Sequence, residues 1–75
     1  MNVNDYIGSD PKIMFGKPVL KGTRIPVELL LEKLAMGETI EQILLSYPKL
    51  KKESILACLL YATLVLKNEI ISSAA

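Results

Sequence analysis

The chain has 75 residues, 51% of them hydrophobic and 23% charged, with one cysteine, no histidine and a formal net charge of +1. That length bounds the chain to one domain, residues 1–75, and the composition is too apolar for disorder and too apolar for a comfortable small monomer. A single cysteine excludes an internal disulfide, and no group of side chains has metal-ligand spacing, so oligomerisation is the remaining usual staple for so small a fold.

The amino end, MNVNDYIGSD, lacks the positive charge and the apolar core of a secretory signal, which predicts a cytoplasmic location. Residues 1–25 show no helical period. Short apolar pieces (Tyr6-Ile7, Ile13-Met14-Phe15, Val19-Leu20 and Ile25) alternate with Gly-Ser, Asp-Pro, Gly-Lys-Pro and Lys-Gly, the pattern of one or two short strands joined by turns. Gly16 and Gly22 are the candidates for positive φ, and Pro18 disfavours helix at Lys17.

A first helix is predicted over residues 26–36. Pro26 suits the first helical position, Val27, Leu30, Leu31 and Leu34 recur at i, i+3, i+4, i+7, and Gly37 supplies a left-handed stop. A second helix is predicted over residues 39–47, opened by the capping box of Thr39 with Gln42, carrying Ile40, Ile43, Leu44 and Tyr47 on one face, and closed by Pro48.

A third helix is predicted over residues 52–69. Between residues 55 and 66 only Thr63 interrupts the apolar side chains, so the rod is oily on every side. Two short helices cannot wrap such a rod. Its carboxyl half is therefore expected to pack on a second copy or a different protein through Leu56, Leu59, Leu60, Thr63, Leu64 and Leu66. The apolar run is too short for a membrane span, which needs roughly 20 residues.

The fold expected is mainly α with a short amino-terminal β-hairpin, in a three-helix, helix-turn-helix layout and dimeric, although many small helical bundles share the same periodicity. Charge is segregated within it. Lys12, Lys17, Lys21 and Arg24 form one acid-free segment, and Lys49, Lys51 and Lys52 another. Those seven cations leave the remainder, two lysines against eight acids, at −6. In helix-turn-helix units the start of the last helix approaches the bases while lysines hold phosphates, which makes Lys49, Lys51, Lys52 and Ser54, with Lys17, Lys21 and Arg24 from the hairpin, the candidate DNA-binding set. The plainer readings are a solvated turn for the first group and edge lysines that discourage strand pairing for the second. Arg24 has two readings of its own: an ion pair with Glu28 or Glu32 that fixes the hairpin to the first helix, or a phosphate contact.

Catalysis is not expected. The chain has no histidine, no activated nucleophile and no paired carboxylates away from helix surfaces, and its glycines and lysines miss the P-loop spacing. Cys58 reads as a small core residue, and no cofactor is implied.

The string GKPVLKGTRIPV at residues 16–27, followed by GETIEQIL, Tyr47-Pro48 and Ile55-Leu56-Ala57, resembles domain-of-unknown-function family 433 over about residues 5–63. The resemblance implies a β-hairpin followed by homeodomain-like helices. Members look like antitoxins, commonly paired with a PIN-like ribonuclease toxin. Lys51 departs from the family pattern, in which a threonine often caps the third helix; losing such a cap costs roughly 1 kcal/mol. Two functions follow as expectations. One is a homodimeric antitoxin-type protein that neutralises a PIN-like toxin and binds operator DNA; the other is an interaction or dimerisation module with no nucleic-acid role.

Overall fold

The computed structural model describes residues 1–70. The Asn2 side chain accepts the Asn4 amide at 3.0 Å and opens a single 3-10 turn, Val3–Asp5, which packs on the third helix. Strand β1, Ile7–Gly8, then pairs antiparallel with β2, Val19–Leu20, with Ile7 opposite Leu20.

β2 is enclosed on both sides. The Leu20 amide donates to Ile25 O at 3.0 Å and the Val27 amide to Pro18 O at 2.9 Å, so the segment after the turn runs back along β2. The turn itself is held by Thr23, whose amide and hydroxyl both donate to Leu20 O, at 3.1 and 2.7 Å, while its oxygen accepts the Ile25 amide at 3.0 Å. Gly22 sits there at φ 76°, a region L-residues avoid. This is the structural meaning of the KGTRIP string: a turn that satisfies its own backbone and buries Val19 and Leu20 beneath it.

Helix α1, Val27–Ala35, starts one residue later than the sequence predicts. Pro26 is extended (φ −72°, ψ 145°) because it bridges Val19, and so it stands in front of the helix and not within it. Gly37, at φ 94°, ends α1: its amide donates to Leu34 O and that of Glu38 to Lys33 O, both at 3.0 Å, the paired bonds of a Schellman motif. Helix α2, Ile40–Ser46, has both arms of the Thr39–Gln42 capping box, at 3.1 and 2.8 Å.

Helix α3, Lys52–Leu66, follows a turn in which the Leu50 amide bonds Tyr47 O at 2.9 Å and Leu50 is buried. It stops three residues short of the predicted Glu69. Asn68 takes φ 62°, and the amides of Asn68 and Glu69 close on Val65 O and Leu64 O at 3.0 and 2.9 Å. Asparagine can serve the left-handed position that glycine serves after α1.

The core lies where these elements converge. Leu20, Val27, Leu30, Ile43, Ile55 and Cys58 are its largest fully enclosed side chains, one or two from β2 and each helix. The three helices and the two-stranded antiparallel hairpin form a small, mainly helical domain.

Candidate functional site

Helix α3 presents different chemistry at its two ends. At the amino end Lys49, Lys51 and Lys52 are all exposed. Lys49 and Arg24 line one cleft of about 640 Å³ between the β2–α1 turn and the α2–α3 turn. Its walls are Ile13, Ile25 and Pro48, its hydroxyl groups come from Thr23, Ser46 and Tyr47, and no carboxylate of the described residues lines it. The two basic segments of the sequence therefore meet at this cleft, through one cation from each.

Three members of the candidate DNA-binding set are engaged elsewhere. Lys17 Nζ lies 2.6 Å from Glu28 Oε1 and ties the β1–β2 connection to α1. That is the role considered for Arg24, which is exposed and makes no ion pair among the described residues. Lys21 donates its ammonium to the Asn4 carbonyl across the hairpin. Ser54 is buried, and its hydroxyl accepts the Lys51 amide at 3.3 Å, so it secures the start of α3 and offers nothing to a groove. Arg24, Lys49, Lys51 and Lys52 remain as exposed cations.

At the carboxyl end the expected interface set divides by face. Leu56, Leu59 and Leu66 are 37%, 42% and 84% exposed. Thr63 lies on the same side, its hydroxyl satisfied by Leu59 O at 3.0 Å. Leu60 and Leu64 are only half exposed, and they border a hollow shared with Val3 and Ile7. The 3-10 turn and β1 thus cover one side of the rod that the sequence leaves bare. A second apolar groove of about 350 Å³ runs along the opposite side, between α1 and α3, lined by Pro18, Val27, Leu31, Tyr61, Ala62, Val65 and Leu66 with Glu28 at its rim. Its contributors on α1 and α3 lie about thirty residues apart in the sequence, so no local spacing announces it.

Cys58 is fully enclosed, and burial pushes its thiol up to about 12, which keeps it protonated and unreactive at neutral pH. Burial raises the Tyr61 phenol as well. No group of Cys, Asp and Glu among the described residues could hold a metal ion, and no described helix is long and apolar enough to cross a membrane.

The connection between the strands holds a feature with no counterpart in the sequence reading, which takes residues 13–15 as strand-like. Met14, Phe15 and Gly16 all adopt positive φ, at 50°, 59° and 80°, in a tight turn closed by the Gly16 amide on Ile13 O at 3.0 Å. Phe15 is 94% exposed. Gly16 is the one sequence signal of this turn; nothing marks Met14 or Phe15 as left-handed.

The family model described as "Protein of unknown function (DUF433)" matches residues 7–62. The uncharacterized protein y4eO of Sinorhizobium fredii is 36% identical over 58 residues, which make up 77% of this chain and 26% of that protein. The crystal structure of a DUF433 member protein from Anabaena variabilis superposes with a TM-score of 0.79 at 26% identity, covering 88% of this chain and 65% of that one. The chain thus spans about a quarter of the length of the curated relative and 65% of the length of the solved one.

Proposed function

The chain belongs to the DUF433 family, and from that premise we propose that it is a non-catalytic, antitoxin-type protein of the cytoplasm: a homodimer that masks a PIN-like toxin with the apolar carboxyl half of α3 and binds operator DNA through the basic amino end. The observation that carries this reading is the division of α3 itself. One helix exposes Lys51 and Lys52 at its start and Leu56, Leu59 and Leu66 farther along, so it offers a cationic surface to one kind of partner and an apolar surface to another.

Each end has a physical rationale. Exposed cations displace counterions from phosphates, and this term supplies most of the affinity of a small DNA-binding module. Exposed leucines on a helix gain free energy when water leaves them, at about 25 cal/mol per Å² of apolar area covered. Arg24 and Lys49 extend the basic end across the cleft, whereas Lys17 and Lys21 serve the fold.

The test is binding to the DNA upstream of the coding region, measured against salt. The log–log slope is expected to fall by roughly 1 for each of Lys49→Ala, Lys51→Ala and Lys52→Ala. A salt-independent signal, or no binding with or without the neighbouring gene product, removes the DNA half. What then stands is the second reading, an interaction module, which the apolarity of α3 favours on its own.

A further inference from the structure

We propose that Phe15 is a base-stacking anchor, held out by a strained turn two residues along the chain from Ile13, a wall of the basic cleft, so that a nucleic-acid strand lies with its phosphates on Arg24 and Lys49 and a base on the Phe15 ring. This rests on the DNA half of the reading above.

The backbone is the first observation. Two successive L-residues with side chains, Met14 and Phe15, stand in the left-handed region, where Cβ crowds the carbonyl oxygen, and Gly16 continues the run. Such strain persists only where surrounding bonds enforce it. Here the Gly16 amide bonds Ile13 O, the Lys17 amide bonds Met14 O at 3.1 Å, and the Lys17 ammonium is moored on Glu28. The fold receives nothing in return from the ring, which is 94% exposed, and little from Met14, which is 41% exposed. A conformation that is enforced and yet leaves an aromatic ring in water points to an external partner.

The surroundings say which kind. Ile13, at the base of the turn, lines the cleft with Arg24 and Lys49, and no carboxylate of the described residues lines it. Lys12 is exposed on the same connection, and its single acid, Asp10, takes the Lys12 amide at 2.9 Å. An exposed ring two residues from the wall of a cationic groove suits a partner that offers phosphates to the groove and a base to the ring, and every base has a π face. An apolar protein pocket would accept the ring but would have no use for the cations.

The experiment uses the full chain and the DNA upstream of the coding region, single-stranded and duplex, carrying 2-aminopurine. Phe15→Ala is expected to weaken binding about tenfold, within the range for losing one aromatic–base stack, to leave the salt slope unchanged, and to abolish the 2-aminopurine fluorescence change. Arg24→Ala should do the converse, lowering the slope by about 1 and keeping the fluorescence change. Phe15→Gly should bind as weakly as Phe15→Ala while melting higher than wild type, because it relieves the turn, and so it separates lost stacking from lost folding. If Phe15→Ala binds and fluoresces like wild type, the anchor is overturned and the DNA reading survives. If the wild-type chain binds neither DNA, both fall together. If Phe15→Ala weakens only the hold on a protein partner, the ring is a protein anchor and the stacking assignment is wrong.

Discussion

Ser54 Oγ accepts the amide of Lys51 at 3.3 Å, but Lys51, whose side chain carries only donors, has no acceptor with which to return a bond to Ser54. The start of α3 is therefore half of the reciprocal pair that Thr39 and Gln42 complete at the start of α2. There an exposed cation and helix capping compete for the same residue.

Lys51→Thr should supply the missing arm and remove a cation from the positive end of the helix. The expected gain is about 1 kcal/mol, read as a higher urea midpoint at unchanged m-value. The same substitution should lower the salt slope of DNA binding. A variant no more stable than wild type would show that the capping site is already filled by water.

Gly22→Ala tests the turn that carries the family string. An added Cβ would meet nothing within 4 Å, so the only cost is backbone conformation at φ 76°. The expected loss is about 1 kcal/mol in chemical denaturation. An unchanged midpoint would mean that the turn relaxes freely.

Cys58 gives the fold a pH dependence of known sign. The folded thiol holds its proton to about 12 while the unfolded one ionises near 9.0, so stability is full below pH 9 and declines as pH rises toward 12. Cys58→Ala should be less stable at pH 7, through the cavity it leaves, yet lose less from pH 9 upward. The two slopes should differ by up to about 1.4 kcal/mol per pH unit. Parallel slopes would show that the thiol reaches water in the native state.

Leu59→Gln with Leu66→Gln should convert a dimer to a monomer in light scattering while leaving the helical circular dichroism signal nearly unchanged, and the melting midpoint should fall and lose its dependence on protein concentration. Both side chains are substantially exposed, at 42% and 84%, so the single subunit loses little by their replacement. A wild-type chain that is already monomeric at high concentration would remove the homodimer from the proposal.

The helical part of this fold is legible in the sequence because its signals are local. Val27, Leu30 and Ile43 follow the helical period and are buried, and Thr39, Gln42 and Gly37 cap as their types require. The structure departs from the sequence reading where a long-range contact or an uncommon backbone decides. Pro26 is drawn out of α1 by its bridge to Val19, and Asn68 ends α3 in a role usually given to glycine. A list of cations cannot show which are engaged: Glu28 lies eleven places from Lys17 and Asn4 seventeen from Lys21, so both lysines read as free until the chain is folded. Ser54 is sequestered because the third residue of a helix reaches back to the cap, a geometry that spacing alone leaves optional.

The punctuation at Asn68 reaches beyond the length of α3. Because Asn68 leaves the helical region of backbone space, the rod does not run on past Leu66 in the same line. The leucine ridge, from Leu56 to Leu66, is thereby confined to roughly 15 Å of helix, which gives a companion one short seat along the rod.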